Sequence, residues 1–308
     1  MPGNFFKNFK AAFSKTEVSK KPHFLLTNGA RVSPCLFAVL YSLLILLSFQ
    51  FLFTGCRNDL LGLFRATELD VRLEERNNFV FLQPKDRNLS LGSEYSFIVL
   101  SDTHMENDKT HGLEKLKDLI AADSDIKFVV VTGDITQNGD REVLQKFVDI
   151  AGDLGVPCYP VLGNHDIYFN NWPHWADLIG SSCYRIDHDE ATLFILDSAN
   201  SYFGKYQLDW LESEIKNTHG RVFVFTHVNL FTTSPTDIQQ LVDVRERARI
   251  CSILSGHADY MFTGHLHTGY SREAGGVAYL SVEGFVDYQS YCRVTVKSTG
   301  ISYRYDKL

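Results

Sequence analysis

Five short apolar runs recur along this chain, and each ends abruptly in polar side chains able to bind a metal. Phe97-Ile98-Val99-Leu100 is followed by Ser101-Asp102-Thr103-His104, and Phe128-Val129-Val130-Val131 by Thr132-Gly133-Asp134. Cys158-Tyr159-Pro160-Val161-Leu162 runs into Gly163-Asn164-His165-Asp166. Val222-Phe223-Val224-Phe225 runs into Thr226-His227, and Tyr260-Met261-Phe262-Thr263 into Gly264-His265-Leu266-His267. Apolar, β-branched and aromatic runs of this length are buried strands. Helical spacing of apolar residues predicts helices near 113–122, 141–154, 207–216 and 238–254. Further strands are expected at 79–82, 193–196, 277–282, 293–297 and 301–305. Strands alternating with helices define an α/β fold. Side chains placed just past strand ends match the rule that α/β sites form beyond the carboxyl ends of strands.

The donor types fit one chemistry. Two divalent cations roughly 3.5–4 Å apart can clamp the attacking and leaving oxygens of a phosphoryl displacement. Such a pair needs a shared carboxylate, further oxygen donors and several neutral imidazoles. Asp102, Asp134, Asn164, His104, His227, His265 and His267 supply them, with His165 left over. Glycines precede Asp134, Asn164 and His265, where tight turns bring backbone close to a ligand. Two divalent ions set against Asp102, Asp134 and one hydroxide leave a net positive site for an anionic phosphate, provided no other charge intervenes. His23, His111, His188, His219 and His257 stand outside these motifs and are read as ordinary surface or core histidines.

The ordered set Asp-x-His, Gly-Asp, Gly-Asn-His-Asp, a lone His and Gly-His-x-His resembles the calcineurin-like metallophosphoesterase superfamily over about residues 95–270. The resemblance implies two facing mixed β-sheets flanked by helices. It implies Asp102, His104 and His267 on a first metal, Asn164, His227 and His265 on a second, and Asp134 bridging both. His165 matches the family's non-ligand histidine, which contacts phosphate and assists the leaving group, with Asp166 behind it as an orienting partner. In-line attack by a metal-bridging hydroxide is the implied reaction, with Mn, Fe, Zn or Co as cofactor. Gly133-Asp134-Ile135-Thr136-Gln137-Asn138-Gly139 is most similar to the class III cyclic-nucleotide phosphodiesterase group. The Asp-Arg-Gly of protein Ser/Thr phosphatases is missing, and His104 and Gln137 depart from the purple acid phosphatase pattern. The substrate expected is a small phosphoester, preferably a phosphodiester such as a nucleotide, cyclic nucleotide or glycerophosphodiester. A phosphomonoesterase or nucleotidase, and a non-catalytic phosphate-binding surface protein, are the alternatives.

The first residues carry a different signal. Residues 36–53 are uncharged and apolar, at the lower length limit for a membrane-spanning helix. Lys7, Lys10, Lys15, Lys20, Lys21 and Arg31 precede them against Glu17 alone, which by the positive-inside rule keeps the N-terminus in the cytoplasm. Phe53-Thr54-Gly55-Cys56 then resembles a bacterial lipobox, in which the Cys is lipidated. The expected organisation is a basic leader and apolar signal or anchor at 1–55, a tether and first strand at 56–94, and a catalytic domain at 95–308. The membrane is contacted through lipidated Cys56 or through the uncleaved apolar segment. Either way the catalytic domain lies outside the cytoplasm.

The net charge of −7 offers no basic footprint for a nucleic-acid polymer. Cys158, Cys183, Cys251 and Cys292 are widely spaced, open to disulfides in an oxidising compartment or to burial as small apolar residues. Tyr168, Phe169, Trp172 and Trp175 follow directly on the third motif, where they could stack on a base or anchor a loop to the core.

Overall fold

The computed structural model describes residues 68–74, 76–231, 241 and 243–308. Its strands form two sheets. The first has the order β11-β10-β1-β2-β3, built from β1 (Tyr95–Leu100), β2 (Ile126–Val131), β3 (Cys158–Pro160), β10 (Ser290–Lys297) and β11 (Gly300–Lys307). The second has the order β4-β5-β6-β7-β9-β8, built from β4 (Tyr184–Asp187), β5 (Ala191–Ile195), β6 (Arg221–Phe225), β7 (Tyr260–Thr263), β8 (Tyr270–Ala274) and β9 (Val277–Ser281). β1, β2 and β3 run parallel, as do β5, β6, β7 and β9. Antiparallel neighbours flank both parallel blocks.

The two sheets face each other, which explains why the central strands are apolar throughout. Successive side chains point to opposite faces of a strand. Phe97, Val99, Phe128 and Val130 enter a core shared with Leu193, Ile195, Phe223, Phe225 and Phe262 of the second sheet. Phe97 stacks on Phe128 with ring centroids 4.6 Å apart and meets Phe223 edge-on at 5.0 Å. The intervening Ile98, Leu100, Val129 and Val131 point the other way. There they meet the helices Leu116–Ala121, Arg141–Gly152 and Trp172–Leu178. On the far side Phe194, Val222, Val224 and Met261 pack under the helices Lys205–Glu214 and Val244–Leu254. The expected two-sheet α/β sandwich is therefore the fold. With both faces covered, a parallel sheet needs no polar alternation.

Several elements differ from expectation. Residues 79–82 do not form a strand. Phe79 makes one antiparallel bridge to Gly180, and Pro84–Arg87 already form a 3-10 turn. Phe79 instead packs its ring edge-on against Tyr184 at 5.7 Å. The aromatic stretch after His165 contains a helix, Trp172–Leu178, opened by Pro173 in its first turn, where a missing N–H costs nothing. A short helix at Phe285–Tyr288 also gave no periodic signal. The expected helix at 238–254 is described from Val244 onward. The apolar segment 36–53 and Cys56 lie outside the described residues. No helix among the described residues is long and apolar enough to cross a membrane. Cys158, Cys183 and Cys292 are buried free thiols and Cys251 is a half-buried one.

One polar anchor ties the start of the described chain to the sandwich. Arg72, fully buried, grips Asp197 with two bonds of 2.7 and 2.8 Å and also reaches Asn200. Ser182 donates to the same carboxylate at 2.7 Å. Removing one member of such a pair strands a buried charge, at a cost of roughly 3–5 kcal/mol.

His188 is a core histidine, as the sequence suggested, but a committed one. Its Nδ1 accepts the Leu89 N–H at 3.0 Å, so its proton sits on Nε2, which faces the Tyr159 hydroxyl at 3.1 Å. That hydroxyl in turn donates to the Asp86 carbonyl. A second proton on Nδ1 would confront the Leu89 donor. Burial therefore pushes the pKa down to about 4, against the opposing charges of Asp189 and Asp187. An unfolded chain takes up this proton near pH 6.5. The stabilisation is complete above that value and is lost as pH falls from there to about 4. We expect the native protein to lose more stability than His188→Gln between pH 7 and pH 4.5, by on the order of 2–3 kcal/mol in urea denaturation. Equal losses would show that His188 titrates normally.

Candidate metal centre

The carboxyl ends of β1, β2 and β3 in one sheet and β6 and β7 in the other open toward the same place. Asp102 and His104 follow β1, Asp134 follows β2, and Asn164 and His165 follow β3. His227 follows β6, and His265 and His267 follow β7. Backbone bonds knit these loops together: Asp102 N–H donates to Gly133 O at 3.0 Å, His104 N–H to Asp134 O at 2.9 Å, and Gly264 N–H to His227 O at 2.9 Å. Asp102, His104, Asp134, His265 and His267 all have positive φ, between 40° and 69°. L-residues with side chains rarely occupy that region, and such strain gathers at functional sites. The turns bring the donors inward at the cost of local conformational energy.

Three overlapping sets of donor atoms result: Asp102, His104 and His267; His104, Asp134 and His165; and Asp134, His227 and His265. Within each set the atoms lie within 4.8 Å of one another. Asp134 Oδ2 stands between the sets, 3.3 Å from His227 Nε2 and 3.8 Å from both His104 Nε2 and His165 Nε2. Asn164 joins through Oδ1, 3.0 Å from His227 Nε2, while its amide nitrogen donates to the Tyr168 hydroxyl at 2.9 Å. That second bond fixes which end of Asn164 faces the site.

The donor chemistry fits cations. His227 Nδ1 must donate to the Thr132 carbonyl at 2.9 Å. In the neutral ring Nε2 is then a lone pair, yet it faces the acceptors Asn164 Oδ1 and Asp134 Oδ2. His104 Nε2 and His267 Nε2 meet at 3.2 Å, and His265 Nδ1 meets His227 Nε2 at 3.2 Å. The His227 lone pair set against two acceptor oxygens needs a positive charge between them. A proton is the alternative, and the electrostatics reflect it. Burial opposes the charged form of His227, but Asp134 outweighs it and holds the pKa up at about 9. Desolvation likewise opposes charge on His267, but Asp102 and then Asp287 raise it to about 10. Desolvation and the charge of His227 hold His265 down to about 4, and burial lowers His104. Burial alone would raise Asp102 and Asp134, yet His267 and His227 respectively keep both carboxyls ionised below their usual range.

His165 differs from the other histidines. Its Nδ1–H donates to the Gln137 carbonyl at 2.8 Å, leaving Nε2 turned toward Asp134. Asp166, expected to orient it, does not touch it. The Asp166 carboxylate instead accepts the N–H groups of Ile135, Thr136 and Gly163 and the Thr136 hydroxyl. It braces the loops of β2 and β3 against each other. A backbone carbonyl has no sequence signature, so the role of Gln137 was not legible. Asp287, whose carboxylate lies 2.5 Å from His267 Nδ1, was also missed, because it falls in a segment without a motif. It places a third carboxylate at the rim, so the expected net positive charge no longer follows from a count of Asp102 and Asp134 alone.

The aromatic residues divide. Trp172 and Trp175 are buried in the outer core, and Tyr168 is buried with its ring 4.4 Å from that of His165. Phe169 is 43% exposed. His174 Nδ1 donates to the Gly139 carbonyl at 3.0 Å.

A family model described as calcineurin-like phosphoesterase matches residues 95–269. The chain is 25% identical over 182 residues to a Fibrobacter succinogenes protein named as a probable cyclic nucleotide phosphodiesterase, covering 55% of this chain and 71% of that one. It is 23% identical over 203 residues to the 3',5'-cyclic adenosine monophosphate phosphodiesterase CpdA of Pseudomonas aeruginosa, covering 60% and 74%. Among solved structures, a dimetal phosphatase from Danio rerio superposes with a TM-score of 0.53 at 14% identity, covering 68% of this chain and 95% of that one. A purple acid phosphatase from yellow lupin gives 0.58 at 13% identity, covering 71% and 52%. At such identities the structural likeness is one of fold.

Gly163 tests how tightly the centre is packed. A Cβ there would lie 2.1 Å from the Asp134 backbone nitrogen and 2.2 Å from its Oδ1. Gly163→Ala should displace the Asp134 loop and lower bound metal, as read by elemental analysis of the purified protein. Wild-type metal content and activity in that variant would show that the contact is slack.

Proposed function

The chain belongs to the calcineurin-like phosphoesterase family, a family of metal-dependent hydrolases, and from that footing we propose that it hydrolyses phosphodiesters at a centre holding two divalent cations. Asp102, His104 and His267 would hold one, Asn164, His227 and His265 the other, and Asp134 would serve both. The observation that carries this reading is the position of Asp134 between the donor sets, with ring nitrogens of His104 and His227 turned toward its Oδ2. The nitrogen and oxygen donors suit Mn, Fe, Zn or Co. When bound, such cations supply Lewis acidity at phosphorus and acidify water at neutral pH.

The remaining work falls to the chain itself. Gln137 holds the His165 ring by Nδ1, so that Nε2 is the atom presented to substrate. Protonated there, it neutralises charge on the phosphoryl oxygens and passes its proton to the leaving oxygen, a general-acid role. Tyr168 packs against that ring and orients Asn164, so one residue supports both functions. The preference for a diester over a monoester is supported by the names of both relatives described above, a probable cyclic nucleotide phosphodiesterase and a 3',5'-cyclic adenosine monophosphate phosphodiesterase.

The membrane tether is part of the proposal and rests on sequence alone. Lipidation of Cys56, or retention of residues 36–53 as a helix, would keep the catalytic domain at an extracytoplasmic membrane surface. The substrates within reach are then extracytoplasmic phosphodiesters.

Chelation should abolish hydrolysis of bis-aryl phosphodiesters and Mn²⁺ should restore it. His165→Ala should lower kcat by ~10²–10⁴ while metal content stays at the wild-type level. Loss of metal in that variant would make His165 a ligand, and full activity after thorough chelation would overturn the metal-dependent reading. For the tether, Cys56→Ser should leave a larger, unlipidated protein by intact mass. An unmodified Cys56 in membrane-bound native protein would assign anchoring to the apolar segment.

A further inference from the structure

The segment between β9 and β10 lies beyond the residues that match the family model, yet it makes close contacts with two of the proposed metal-binding loops. Gly284 bridges to Ser101, Phe285 N–H donates to Ser101 O at 2.8 Å, and Val286 N–H donates to Asp102 O at 3.1 Å. Gly284 N–H reaches His267 O at 3.3 Å. A side chain at Gly284 would put its Cβ 2.7 Å from His267 Cγ, so the backbone must pass directly against that ring. The turn of helix that follows brings the Asp287 carboxylate to 2.5 Å from His267 Nδ1.

We propose that Asp287 is the positioning residue for the first of the two metal positions, through its carboxylate on His267. A carboxylate can only accept here, so Nδ1 carries the proton and Nε2 is left as the donor atom. That Nε2 already faces Asp102 Oδ1 at 3.4 Å and His104 Nε2 at 3.2 Å. A charged acceptor also makes the imidazole a stronger electron donor than a carbonyl does, and partners of this kind commonly change metal affinity 10–100-fold. The other histidines are held differently. His227 and His165 are backed by the carbonyls of Thr132 and Gln137, and His104 Nδ1 is buried without a hydrogen-bond partner. His267, with about a third of its side chain exposed, would be free to rotate without such a clamp. The two positions would therefore differ in affinity, with the His267 position dependent on a residue outside the motif set.

The inference rests on the two-cation reading, and the experiment separates the two. Full-length apoprotein is titrated with Mn²⁺ alone by calorimetry, with bound metal counted by elemental analysis, for the native protein, Asp287→Ala and Asp287→Asn. We expect two binding events in the native protein. Asp287→Ala should weaken one of them 10–100-fold and leave the other unchanged. Asp287→Asn keeps an acceptor oxygen and should recover part of the loss. The unchanged event shows that the variant is folded, a separation that general structural damage would not produce. Two unaltered affinities in Asp287→Ala would overturn the assignment while leaving the two-cation reading intact. Equal weakening of both events would overturn it too, placing Asp287 in the stability of the domain. No metal uptake by the native protein would remove the two-cation reading, and this one with it.

Discussion

The Asp134 carboxylate is the constraint on which the rest of the site depends. It is buried, and an isolated buried charge is costly enough that a protein must surround it with compensating groups. His165 N–H donates to Oδ1 at 2.9 Å, and the rings of His227, His104 and His165 stand around Oδ2. Those groups come from β1, β3 and β6, and so from both sheets. The site therefore exists only when the sandwich has closed. Asp166 lies close behind, where burial and the charge of Asp134 push it up to about 6. The three backbone N–H groups it accepts hold the Asp134 and Asn164 loops in register despite that repulsion.

The cost of this arrangement is visible in the backbone. Positive φ at Asp102, His104, Asp134, His265 and His267 stores roughly 1–3 kcal/mol at each position. The strain persists because the strands leading into these turns are locked by the aromatic core around Phe97 and by helices on both outer faces. The His227 lone pair facing the Asn164 and Asp134 oxygens adds a second unfavourable term that a cation would relieve. Metal binding would be coupled to folding in this way: the core forces the donors together, and the ion would recover part of what that forcing costs.

The groups that brace the ligand-capable side chains serve the same end by different chemistry. Tyr168 fixes the amide of Asn164, Gln137 fixes His165, and the turn at Gly284–Asp287 fixes His267. Two of these partners are side chains far from any motif spacing or inside an aromatic run, and one is a main-chain carbonyl. Each decides which atom of a ligand-capable group faces inward, a property on which the residue type is silent.

The central strands and their buried character were legible in the sequence, while β4 and β8 gave no signal, and the donors named from the motifs stand together at the strand ends. A continuous apolar run ending in Gly-Asp or Gly-His-x-His carries both the secondary structure and the chemistry in one short window. Local pattern also located the helices at 113–122, 141–154 and 207–216 to within a few residues. It failed at 79–82, where an apolar stretch found one bridge and no partner strand, and at Asp166, whose place beside His165 in sequence did not become contact in space. Tertiary structure alone decided which nitrogen of His165, His227 and His267 faces the site, which carboxylates share it, and which aromatic residues sink into the core. These depend on contacts between residues separated by tens to hundreds of positions, such as His104 with His267 or Asp134 with His227. Local sequence determines what a strand end can offer, while only the closure of two sheets determines what it meets.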